Sequence, residues 1–166
     1  ARLVQVGGRD FGDDEGALAE VTGIQRLDGR IDDPSLESAA QLAISWLRPI
    51  LDDLEGALTS AMAALDGFRR QNEPFMAWAA LTAGLLELAL GRHDAARVHL
   101  TEASALGDQL GNQWLRATAR TQLASLAVAT GHLEEARTLL RDSVAPGEDG
   151  ELSIQALAFS LIAHAR

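Results

Sequence analysis

Leu88-Ala-Leu-Gly-Arg-His-Asp-Ala-Ala-Arg97 and Val128-Ala-Thr-Gly-His-Leu-Glu-Glu-Ala-Arg137 carry one pattern twice, with Gly91 and Gly131 forty residues apart. In each stretch an apolar run ends at a glycine, two or three polar residues turn, and a second run opens with acids. Glycine supplies the left-handed residue that closes one helix, and carboxylates suit the positive N-terminus of the next. Each stretch therefore reads as the junction of two antiparallel helices.

Working outward, the second helix of each unit carries two small residues seven apart, Ala96 with Ala103 and Ala136 with Ser143. Upstream, Ala57 with Ala64 and Gly16 with Gly23 repeat the spacing, at steps of 41, 39 and 40 residues. Seven residues are about two helical turns, so both members share a face where a neighbouring helix can approach closely. Repetition at this period is the mark of a stacked helical array.

The composition agrees. Hydrophobic residues make up 47% of the 166, enough for a core, yet Tyr and Cys are absent and Phe and Trp are few. Leu and Ala must fill that core, which favours helices over sheets. No Cys means no disulfide and no thiolate metal site. All fourteen cations are Arg and the formal charge is −10. That balance repels a phosphate backbone, so direct contact with nucleic acid is not expected. No apolar run of about 18 residues or signal-peptide pattern occurs, so no membrane association and a cytoplasmic location are expected.

Helices are expected at about 13–27, 34–48, 52–70, 72–91, 93–109, 112–130, 132–144 and 151–165, with the tail of another at 1–6. Asp33-Pro34 reads as an N-cap followed by a first-turn proline, and Asp52 with Glu55 as a capping box. Residues 1–34 read as a partial repeat and linker, and 35–166 as the repeat domain with an incomplete last repeat. Both ends are expected to cut through a repeat of a longer array.

The stretches Leu85-Leu-Glu-Leu-Ala-Leu-Gly-Arg-His-Asp-Ala-Ala-Arg97, Gly111-Asn-Gln-Trp-Leu115 and Gly131-His-Leu-Glu-Glu-Ala-Arg-Thr-Leu-Leu140 resemble tetratricopeptide-like repeats. They are most similar to the forty-residue variety in large actinobacterial signalling ATPases and LuxR-type, maltose-regulator-like transcriptional regulators. The resemblance covers about residues 35–165. The first-helix Tyr and most repeat-closing prolines of the 34-residue pattern are missing. It implies an all-α, right-handed superhelix of antiparallel helix pairs, and a module that senses an inducer or partner beside an ATPase.

The same alignment places Trp46, Trp78, Leu81, Leu85, Thr121 and Ser125 on the concave groove, and Trp114 nearer the seam between repeats. Arg116 and Arg120, i and i+4 on one helix, are candidates to receive a carboxylate; pairing with nearby acids is the alternative. The expected ligand is a protein, a peptide or a small effector, with no cofactor. The competing readings are a structural spacer or oligomerisation scaffold, or a free-standing adaptor.

Catalytic and metal patterns are not met. Gly7-Gly-Arg-Asp-Phe-Gly12 continues into Asp13 and Asp14 where a phosphate loop needs Lys and Ser or Thr, and Asp10-Phe-Gly12 has no kinase companions. Asp28-Gly-Arg-Ile-Asp-Asp33 puts Arg30 at a calcium-ligand position. His93, His99, His132 and His164 form no zinc-binding spacing. The acid pairs Asp52-Asp53 and Glu134-Glu135 sit at helix starts, where capping accounts for them. An enzyme is not expected.

Overall fold

The computed structural model describes residues 14–25 and 33–143. The expected helices at 1–6 and 151–165, the Gly7–Gly12 stretch, most of the linker at 28–33, the break at 146–150 and His164 lie outside the described residues. Among the described residues the chain is all-α, without strands. The helices are α1 (Asp14–Gln25), α2 (Pro34–Leu47), α3 (Leu54–Gln71), α4 (Met76–Ala89), α5 (His93–Gln109), α6 (Gln113–Ala129) and α7 (Leu133–Ser143), with a 3-10 helix at Arg48–Leu51.

Helix α2 starts where Asp33 caps it, its carboxylate accepting from the N–H groups of Ser35 (2.8 Å) and Leu36 (3.4 Å), with Pro34 in the first turn. Proline lacks an N–H and cannot sit inside an α-helix, so at Pro49 the chain tightens into the 3-10 helix. The expected capping box of Asp52 with Glu55 does not form; the cap falls one residue later and is a simple one. Asp53 caps α3, accepting from the Gly56 N–H at 2.9 Å, because Asp52 is held in the left-handed region (φ 57°) closing the preceding turn. The Gly56 N–H, aided by the Arg48 guanidinium at 2.5 Å and opposed by partial burial, holds the Asp53 carboxyl below its ordinary 3.8.

Five turns share one geometry. Asp52, Asn72, Gly91, Gly111 and Gly131 all have positive φ, between 54° and 80°. In each, the left-handed residue donates its N–H to the carbonyl three residues back, and the following residue to the carbonyl five back, at 2.8–3.2 Å. This is the Schellman closure, which satisfies two carbonyls that a helix end leaves bare. The period legible in the turns is therefore about twenty residues, one helix and one turn. Asn72 had been expected to open α4; it closes α3 instead, and α4 begins at Met76.

The chain divides into two compact units, Ala1–Thr82 and Ala83–Arg166, with the boundary inside α4. In the first unit α2 pairs with α3, and α1 touches α2 and the 3-10 helix. Ala57 and Ala64 are wholly buried on α3, beside buried Leu65 and Phe68, and the Phe68 ring meets Phe75 at 5.9 Å. In the second unit α6 pairs with both α5 and α7. Ala96 and Ala103 are wholly buried, and Ala136 joins Ala124 and Ala127 under Leu139 and Leu140.

Ala57, Ala64, Ala96, Ala103 and Ala136 of the small-residue register thus lie in the core. On α1, Gly16 is half-buried and Gly23 is exposed, with no atom of the described residues within 4 Å of a Cβ placed there. A further close approach involves a residue outside those pairs. A Cβ on Gly107 of α5 would stand 2.8 Å from the Arg116 backbone nitrogen of α6. Among the described residues no helix is long and apolar enough to cross a membrane.

Candidate functional site

The eight candidate residues divide between the units. In the first, Trp46 on α2 is 54% exposed, and its indole N–H donates to the Thr82 hydroxyl at 3.0 Å. That hydroxyl donates in turn to the Trp78 carbonyl at 2.9 Å, so the one threonine links both tryptophans. Trp78 itself is half-buried. Leu81 is corrected: at 3% exposure it is a core side chain and presents no surface to a ligand. Also in this unit, a polar cleft of about 260 Å3 between α2 and α3 is bordered by Gln71, whose amide donates to the Gly67 carbonyl and the Ser38 hydroxyl.

In the second unit Leu85 is exposed at 37%. Thr121 is corrected as Leu81 was: it is 3% exposed and its hydroxyl donates to the Ala117 carbonyl of its own helix at 2.8 Å. Ser125 is half-buried. Arg116 and Arg120 do receive a carboxylate, but an internal one. Asp108 of α5 accepts from Arg116 at 3.2 Å and from Arg120 at 2.8 Å, while the Arg120 Nε–H donates to Ser104 at 3.1 Å. The pairing clamps α6 to α5 and answers the sequence alternative with a structural tie.

Two arrangements had no sequence signal. Glu87 on α4 is 5% exposed, and its carboxylate lies 2.8 Å from His99 Nδ1 on α5. A buried carboxylate demands such a partner, since leaving it unpaired costs far more than the pairing gains. The twelve-residue separation of Glu87 and His99 spans a turn, so no single-helix spacing could have revealed it.

The second arrangement is a cleft of about 460 Å3. Thr101, Ser104 and Ala105 of α5 form one wall, Leu139 of α7 the other, and Leu123 of α6 the floor. Arg97 of α5 and Glu135 of α7 form an ion pair at 2.5 Å along its rim.

Among the described residues no three His, Cys, Asp or Glu side chains stand close enough to hold a metal ion. A scan against protein-family models returns no match, and no curated protein is significantly similar to the chain.

Proposed function

We propose that this chain is a non-catalytic binding module in which helix–turn–helix repeats stack as a right-handed, tetratricopeptide-like superhelix. Its place is within a larger cytoplasmic regulator of the signalling-ATPase or LuxR-type kind, where it docks a protein, a peptide or a small effector. The observation that carries this reading is the recurrence of one turn geometry at Asp52, Asn72, Gly91, Gly111 and Gly131. An array built from one repeated unit leaves its outward residues free to vary, which is what makes such stacks useful binding surfaces.

Trp46 is the anchor of that surface. Its ring is exposed while its N–H is already satisfied by Thr82, so a partner can cover the apolar face without stranding a donor. Binding would regulate the parent protein only by favouring one of its states over another. The test is the effector response of the parent protein carrying Trp46→Ala. A weakened response with unchanged folding supports the reading; an unchanged response removes Trp46, and deletion of residues 35–143 without effect removes the module.

An oligomerisation scaffold is the second reading, favoured by the exposed Val128 and Leu133 on either side of the α6–α7 turn. Elution from a sizing column that shifts with protein concentration, and that Leu133→Glu abolishes, would select it.

A further inference from the structure

Along the cleft between α5 and α7, α5 differs from α3 in the residues it presents. Ala57 and Ala64 of α3 correspond to Ala96 and Ala103 of α5, all four wholly buried. In that register α3 carries Leu58 and Leu65, 6% and 0% exposed, where α5 carries Arg97 and Ser104. Exchanging two core leucines for an arginine and a serine removes apolar bulk and sets polar donors in its place. Thr101 and Ala105, one helical turn apart, keep the same wall low.

The opened seam has a defined chemistry. Ser104 is only 8% exposed and accepts from the Arg120 Nε–H, which leaves its own proton to give to an oxygen in the cleft. Arg97 and Glu135 have side chains 35% and 42% exposed. Ion pairs so exposed contribute little, so a second carboxylate can take the guanidinium from Glu135 at small cost. The floor and far wall, Leu123 and Leu139, are apolar. The volume falls within the range of small-molecule sites, roughly 300–1,000 Å3.

We infer that this cleft binds a small monocarboxylic acid with a short apolar body. The carboxylate receives the Arg97 fork and the Ser104 hydroxyl, and the body lies on Leu123, Ala105 and Leu139. A single negative charge is what the lining matches, since Arg97 is its one cation and Glu135 stands beside it. The inference goes beyond the function proposed above, because it depends on the second unit alone and not on what Trp46 contacts.

The experiment is a titration of the full chain with 4-phenylbutyrate, followed through backbone amide NMR shifts. The expected result is saturable binding in the millimolar range, with the largest shifts at Thr101, Ser104, Leu123 and Leu139. The uncharged 4-phenylbutyramide and the Arg97→Gln variant should each bind about tenfold more weakly, as loss of a charged hydrogen bond implies. Ser104→Leu, which installs the residue that α3 carries at this position, should abolish binding while leaving the melting temperature unchanged or higher. Glu135→Gln, which frees Arg97, should strengthen binding several-fold. Shifts that do not saturate, or that survive both Arg97→Gln and Ser104→Leu, overturn the inference. So does binding by a peptide with a free C-terminal Phe where the small acid fails.

Discussion

At the scale of single residues, stability is concentrated in the turns. Gly111 sits at φ 64°, and a side chain there meets the penalty that L-residues pay in the left-handed region. Gly111→Ala should therefore lower stability by roughly 1–2 kcal/mol in urea titrations. The equivalent Asp52, at φ 57°, already bears that strain, so Asp52→Gly should stabilise by about 0.5–1 kcal/mol. A stabilised Gly111→Ala would show that the turn does not depend on that backbone shape. Asp53 adds a dependence on pH. Its carboxyl is held below 3.8 in the folded protein, so the cap contributes fully above that value and is lost as pH falls through the native one. Asp53→Ala should cost about 1 kcal/mol at pH 7. That difference from the parent chain should begin to narrow below about pH 4, as the unfolded carboxyl takes up its proton, and close once the folded one does too. A gap that stays constant down to pH 2.5 would mean the ionised cap is not what stabilises α3.

At the scale of elements, close helix approach explains why small residues recur. Ala96 and Ala103 are wholly buried, and Ala95 is only half-buried. Ala96→Leu or Ala103→Leu should cost roughly 1–3 kcal/mol by overpacking, and Ala95→Leu much less. Gly107→Ala belongs with the costly pair, because its Cβ would press on the Arg116 backbone, which cannot rotate aside as a side chain can. Equal losses at all four positions, read by thermal melts, would break the register. Periodicity could find the alanine pairs because they recur every forty residues. It missed Gly107, whose importance comes from how near α6 runs to α5 and not from a pattern along α5. Gly16 and Gly23 have the same spacing, yet among the described residues no atom comes within 4 Å of a Cβ placed on Gly23.

At the scale of the molecule, the chain divides into two compact units between Thr82 and Ala83. Repeat arrays hold together through neighbouring contacts, so damage stays near its source. Ala64→Leu should accelerate hydrogen exchange in α2 and α3 while leaving α5 and α6 protected, and Ala103→Leu should do the reverse. Uniform acceleration throughout would mean that the two units unfold as one. Much of the local order of this protein was legible in its sequence, since helix composition, acids at helix starts and glycine at a left-handed turn all act within a few residues of themselves. Asp52 and Asn72, which turn left-handed without being glycine, read instead as helix starts. Which side chains a ligand can reach was not legible. Leu81 and Thr121 share helices with the half-exposed Trp78 and Ser125 but point into the core. Arg116 and Arg120 look available until Asp108 takes them, and Glu87 finds His99 only across a turn. Exposure and pairing depend on the neighbouring helix, and a helix face acquires its neighbour only when the chain folds back on itself.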